Sequence, residues 1–196
     1  MKKFLTLLLS GMLVLSFCAC GGTTSDDTSV DDESTETTTE KEVTQVNVGQ
    51  SIETDYFKMT VDSMEILDDY EFSMSEYSSM SLYVEEGYKL LLVRGTMENL
   101  GTEVISDNAF SATCLVNDSY EEEASLQFER SKYYELDPYT EQNYDLYINI
   151  PEKLAEQYET ASFTIGFNSD MSPIVTTTSS DGTTTVDADN WFCIQE

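Results

Sequence analysis

Thiols and carboxylates carry most of the reactive chemistry in this chain of 196 residues. It has four cysteines, 38 Asp and Glu, and no histidine. Without an imidazole, a Ser-His-Asp triad and an H-E-x-x-H zinc site are both excluded, as is the commonest general base near neutral pH. Two carboxylates alone can run glycoside hydrolysis, yet no spacing here selects a pair, and no G-x-S-x-G or phosphate-binding glycine loop occurs. No catalytic residue and no cofactor is assigned. The 38 acidic residues stand against 9 Lys and Arg, a net charge of −29. Nonspecific nucleic-acid binding, which needs clustered cations, is thereby excluded.

Three groups of residues remain as candidate sites. Asp187, Asp189 and Asn190 are the candidates for calcium, although Trp191 stands where the alternating loop of an EF-hand needs a third ligand. Solvated surface charge is the competing account of these acids. Residues 68–86 read DDYEFSMSEYSSMSLYVEE. Tyr and Met set among Ser give large contact area at modest entropic cost, so Tyr70, Phe72, Met74, Tyr77 and Tyr83 are the candidates for contact with a protein partner at the cell surface. The same side chains could instead cover one end of the fold or form a short helix on it. Cys114 and Cys193 could form a disulfide closing a loop of about 80 residues, worth roughly 4 to 5 kcal/mol in the chain-entropy account. Two separate buried thiols acting as small hydrophobes are the alternative.

The elements that must position these groups begin with an address. Met1, Lys2 and Lys3 form a positive start, and residues 4–17 (FLTLLLSGMLVLSF) are apolar, which is the layout of a secretory signal. This run falls short of the roughly 20 apolar residues a spanning helix needs. The sequence then reads Ser16, Phe17, Cys18, Ala19, Cys20, Gly21, Gly22. This resembles the lipobox of bacterial lipoprotein precursors, in which small residues precede an invariant Cys. The resemblance implies cleavage after Ala19, a diacylglyceryl thioether on Cys20 and palmitate-type acyl chains in the membrane. Two such chains hold a protein stably where one is marginal. Loss of Lys2 and Lys3 takes the 9 basic residues to 7 against 38 acidic, a net −31. Anionic lipid would repel that charge, which suits attachment by acyl chains.

Residues 22–42 hold almost only Thr, Ser, Asp and Glu. Such a segment buries too little apolar surface to offset its ordering entropy and reads as a disordered spacer. Its 21 residues reach some 70 Å when taut, at about 3.3 to 3.6 Å each. The expected organisation is a leader over 1–19, a lipidated Cys20 and tether over 20–42, and one domain over 43–196.

Within that domain the apolar residues alternate as strands require. Tyr144, Leu146, Ile148 and Ile150 make one row, Phe163, Ile165 and Phe167 another, and Phe110, Ala112, Cys114 and Val116 a third. Phe57, Met59 and Val61 share one parity and Met64 and Ile66 the other, which predicts a bulge near Asp62 and Ser63. Leu90 to Val93 are apolar on both faces, as in a central strand. Ser180, Asp181 and Gly182 suit a hairpin tip. Residues 152–158, after Pro151, predict a brief helix. Trp191 is expected in the core of a closing strand.

The run Gly87-Tyr88-Lys89-Leu90-Leu91-Leu92-Val93-Arg94-Gly95-Thr96-Met97-Glu98-Asn99-Leu100-Gly101-Thr102-Glu103 resembles the long hydrophobic strand, Asn-containing turn and acidic residue of a known group. That group is the immunoglobulin-like, telokin-like β-sandwich domains carried by exported lipoproteins of Gram-positive bacteria. Val48 to Ile52 and Tyr56 to Val61 resemble its paired opening strands, and Leu146 to Pro151 its later strand ending in Pro. The resemblance covers about residues 46–167 and brings no catalytic residues. It implies an all-β, immunoglobulin-like antiparallel β-sandwich behind a lipoprotein signal peptide and a disordered acidic linker. The expected function is a noncatalytic binding or envelope-interaction module on the extracytoplasmic face of the cell membrane. A small carboxylate-based or calcium-dependent surface enzyme, or its accessory subunit, is the alternative, and a protective coat is a third.

Overall fold

A computed structural model describes residues 43–75, 78–129 and 134–196. The leader, Cys20, the acidic tether and Tyr77 lie outside the described residues. In chain order the strands are β1 (Val43–Asn47), β2 (Ser51–Glu53), β3 (Phe57–Leu67), β4 (Tyr70–Ser75), β5 (Ser78–Leu82), β6 (Tyr88–Asn99), β7 (Ile105–Ser106), β8 (Phe110–Val116), β9 (Tyr120–Phe128), β10 (Glu135–Leu136), β11 (Glu141–Pro151), β12 (Ala161–Phe167), β13 (Val175–Thr178), β14 (Thr184–Asp187) and β15 (Asn190–Gln195). The helix expected after Pro151 is the single turn α1 (Glu152–Ala155), shorter than the sequence suggested.

One hydrogen-bonded ribbon in the order β1-β15-β12-β8-β9-β11-β6-β3-β2 folds over into two facing sheets. The fold-over happens in β9, whose residues 120–124 pair with β8 and residues 125–128 with β11. On the opposite side the chain steps between sheets after β1: the Val48 amide donates to the Gln195 carbonyl at 3.1 Å and the Gly49 amide to that of Val61 at 2.7 Å. β1 runs parallel to β15, while the other ladders are antiparallel.

Period-two rows from both sheets meet in one core. β8 and β12 bury every second residue, and Phe57 meets Phe110 and Phe167 edge-on with centroids 5.4 and 5.1 Å apart. The expected bulge is present, as the β3–β6 register shifts between Val61 and Ser63. That extra residue lets Phe57, Met59 and Val61 share the core with Met64 and Ile66 despite opposite parity. β6 lies between β11 and β3, and Leu90 through Val93 are all 0% exposed. Leu91 and Val93 face the inner core, whereas Leu90 and Leu92 face outward beneath a cover from β4 and β5. The tip between β13 and β14 has Gly182 at φ +86°, and Asp181 accepts the Thr183 amide at 2.9 Å.

The choice between the two cysteine alternatives is decided here, and the expectation for Trp191 is corrected. Cys114 pairs with Phe163 and so shares the core face with Ile194, whereas Cys193 pairs with Thr164 on the other face. β12 separates the two cysteine strands, which places them about 10 Å apart at about 4.8 Å per strand. A disulfide needs Cα atoms within about 7 Å and side chains pointing at each other, so Cys114 and Cys193 are two separate buried thiols. Burial pushes the Cys114 thiol up to about 12. Trp191 is on the closing strand as expected, but on its outer face. It is half-buried over Gly166, where an added Cβ would lie 2.8 Å from the indole ring.

Candidate binding site

Within the tyrosine-rich segment 68–86, β4 and β5 pair as antiparallel strands across the outer face of the sheet that contains β6. Phe72 and Leu82 are 6% and 5% exposed over Leu90 and Leu92, and Tyr70 stacks on Phe72 at 6.1 Å. Burying Leu90 and Leu92 between a sheet and a hairpin explains why β6 carries apolar residues on both faces. Of the partner-contact candidates, Phe72 is therefore covering material and Tyr70 is half-buried beside it. Tyr83 is 77% exposed, and Met74 is on β4. The hairpin covers a face of the sandwich rather than an end, because Phe72 and Leu82 pack on the outward-facing Leu90 and Leu92 of β6.

A polar row runs under that hairpin. Arg94, Asp145 and Gln127 are direct cross-strand neighbours on β6, β11 and β9. Asp145 is 0% exposed, and among the described residues neither carboxylate oxygen accepts a hydrogen bond; Arg94 Nε stands 3.7 Å away. The Arg94 guanidinium also lies 3.6 Å from Glu129 and 5.0 Å from the Tyr70 ring centroid. Glu129 in turn accepts from the Tyr70 hydroxyl at 3.0 Å and from Asn143 Nδ2 at 2.9 Å. Burial, then the Glu129 charge, pushes the Asp145 carboxyl up to about 6, against the opposing pull of Gln127, Arg94 and Tyr70. This is the one carboxyl whose midpoint is raised toward neutrality among the described residues, yet it has no open path to a substrate.

A concavity opens at the end of the sandwich where β6 finishes and β11 begins. It measures about 350 Å³ and is walled by four loops, carrying Asp55 and Tyr56, residues 99–105, Tyr139, and Asp170 with Met171. Asn99 builds this rim. It is 1% exposed; its Nδ2 donates to the Glu103 and Leu136 carbonyls at 2.8 and 3.0 Å, and its Oδ1 accepts from the Gly101 amide at 2.9 Å. Below it, the Leu100 amide donates to the Tyr56 carbonyl at 2.8 Å. Tyr139 at φ +57° and Met171 at φ +54° are in the left-handed region without being glycine, a conformation held against its cost by surrounding structure. Tyr139 is 69% exposed and Val104 45%. Three carboxylates, Asp55, Glu103 and Asp170, share the lining with Leu100, Ile105 and Met171, and no Lys or Arg does among the described residues. The Ser172 hydroxyl and amide hold the Asp170 carboxyl below its usual range. Such a lining suits a ligand or side chain with an apolar body and a cationic end.

Of this cavity the sequence singled out the turn and acidic residue over residues 99–103 and the strand that begins at Tyr56. Its other walls come from loops far apart in the chain, and no local pattern marks Tyr139 or Met171.

The calcium candidates serve a turn instead. Asp189 accepts the Ser169 amide and hydroxyl, each at 2.9 Å, and Asn190 Nδ2 donates to Asp189 at 2.6 Å and to Ser169 Oγ at 2.8 Å. Asn190 thus presents a donor to Asp189, while Asp187 pairs with Val175 in the β13–β14 ladder. The three are not brought together as an oxygen donor set, and no cluster of three metal-ligating His, Cys, Asp or Glu occurs among the described residues.

No protein-family model matches the chain, and no curated protein matches it. Among solved structures, it is similar to an uncharacterized β-sandwich protein from Clostridium difficile 630, at 15% identity over 80% of this chain and 95% of that one, with a TM-score of 0.58. A fainter likeness, with a TM-score of 0.38, links it to the yjhA protein of Bacillus subtilis at 15% identity over 76% of this chain and 98% of that one. At such identity the first likeness speaks for architecture alone, and with the two facing sheets described above it makes this chain a β-sandwich.

Proposed function

We propose that the protein is a lipid-anchored, extracytoplasmic binding module of immunoglobulin-like build, noncatalytic, that engages a cell-envelope partner through its loop end. The observation that carries this reading is the cavity of about 350 Å³ among four loops, in which exposed Tyr139 and Val104 stand beside Asp55, Glu103 and Asp170. Loops on a rigid sandwich are where binding surfaces are usually built. The immunoglobulin-like assignment is supported by the parallel pairing of the first strand with the last and by the strand that changes sheets. Membrane attachment is supported by the leader and by Cys20, with the acidic tether as spacer.

Photo-crosslinking in cells tests the binding end. A benzoylphenylalanine at Tyr139 is expected to trap a partner, and the same group at Val175, 57% exposed on β13, is not. Equal trapping at both positions, or none at Tyr139, removes the reading. Palmitate labelling lost in Cys20→Ser tests the anchor separately.

A further inference from the structure

The fold-over of β9 opens a second site, at the other end of β6 from the loop cavity. Among the described residues, β9 pairs only with β8 through residues 120–124, and β11 pairs only with β6 from residue 148 onward. The two strands are neighbours up to the Tyr147–Ser125 pair and then part like the arms of a fork. Among the described residues the backbone edges bordering the gap have no ladder partner, and such edges are templates for an added strand. The gap holds a cleft of about 320 Å³ lined by Tyr88, Tyr120, Tyr147, Glu85, Glu122 and Glu123.

Its chemistry is one-sided. Tyr88 is 37% exposed and Tyr120 and Tyr147 are half-buried, so ring faces and three carboxylates bound the space together. The Tyr120 hydroxyl donates to Glu122 at 3.3 Å, which fixes a carboxylate against a ring. Asn149 lines the cleft and donates through Nδ2 to the Tyr83 carbonyl at 3.3 Å. Among the described residues no Lys or Arg lines the cleft, and the nearby Lys89 is committed to Asp68 and Glu152. Rings and carboxylates together are what recognise an ammonium or guanidinium group by cation–π and ionic attraction.

We propose that this cleft receives an extended basic segment of a partner protein, which adds as a strand along residues 120–124 of β9 and places a Lys or Arg side chain among the tyrosines and glutamates. Main-chain pairing supplies affinity and the alternate side chain supplies selectivity, as in other cases of strand addition. Five residues of open edge accommodate a strand about 17 Å long, at about 3.3 Å per residue.

The test is fluorescence anisotropy with the full chain in nonionic detergent and a labelled heptapeptide of alternating Lys and Val. Binding is expected to weaken at least tenfold in a Tyr88→Ser, Glu122→Gln, Glu123→Gln variant, and less than twofold when equal charge is removed at exposed Glu53 and Asp187. Methylating alternate backbone nitrogens of the peptide is expected to cost tenfold as well. Failure of the parent to bind the peptide overturns the proposal, as does equal loss in the remote-charge variant, which would mean nonspecific attraction. Equal binding of the methylated peptide would mean a free cation site and not a strand site, and equally overturns it. Should the triple variant fail to fold, Glu122→Lys at an exposed position carries the same comparison. A negative result here leaves the crosslinking at Tyr139 unaffected, because the two sites are at opposite ends of β6.

Discussion

Replacing Asp145 by Asn should make the protein more stable at neutral pH and leave it nearly unchanged in mild acid. Asp145 is fully buried, its oxygens accept no hydrogen bond among the described residues, and its carboxyl is raised from an ordinary 3.8 to about 6. A carboxyl whose folded midpoint lies above its unfolded one binds protons better in the folded state. Its contribution is therefore most favourable below about 3.8 and is lost as pH rises to about 6. A displacement of that size corresponds to about 3 kcal/mol at about 1.4 kcal/mol per decade. The amide in Asp145→Asn has no such charge to bury, and Arg94 keeps Glu129 at 3.6 Å. Lost attraction between Arg94 and Asp145 trims the gain, so an increase of about 2 kcal/mol at pH 7.5 is expected, falling toward zero near pH 4. Urea unfolding followed by Trp191 fluorescence between pH 4 and 8 measures the difference, and the other carboxylates, common to both proteins, cancel in it. A variant less stable at pH 7.5, or a gain that does not change with pH, would refute the reasoning, since Asp145 would then be a well-paired charge.

Gly95→Ala should destabilise by about 3 kcal/mol, because the new Cβ would lie 1.8 Å from the Thr60 carbonyl oxygen and 2.9 Å from the Tyr144 ring; thermal melting checks it. Asn99→Ala removes three hydrogen bonds from a buried rim, and a loss of about 2 to 4 kcal/mol is expected, with amide exchange in residues 100–105 speeding up ahead of the rest of the fold. Intact mass after alkylation should show Cys114 and Cys193 unmodified in the native protein and both modified in urea without any reductant. A requirement for reductant would mean that the two strands can bring their thiols together after all.

Strands and their inward rows were readable because burial on one face leaves a period of two. The bulge at Asp62–Ser63 was readable because a strand can keep both halves of an apolar run on one face across a change of parity only by inserting a residue. β6 shows where this legibility stops. Four apolar residues in succession announced cover on both faces, but nothing local said that the second cover would be Phe72 and Leu82 from the hairpin just before it. The same ambiguity hid the position of Cys193, since Phe192, Cys193 and Ile194 are all apolar and assign no face. Cys114, in a strictly alternating row, was placed correctly. The loop cavity was the least legible feature, because Tyr56, Asn99, Tyr139 and Met171 come together only once both sheets are closed.

The parallel ladder between β1 and β15 has a mechanical consequence. Val43 opposite Trp191 is at the same end of the sandwich as the loop cavity, and five successive pairs continue to Asn47 opposite Gln195. Tension transmitted through Val43, with the load held at the forked end, pulls along the axis of β1 and not across it. All the rungs of that ladder then carry the load at once, in shear, whereas a transverse pull would open them one at a time. A domain hung by its first strand in this geometry resists extraction by force much better than its equilibrium stability alone would suggest.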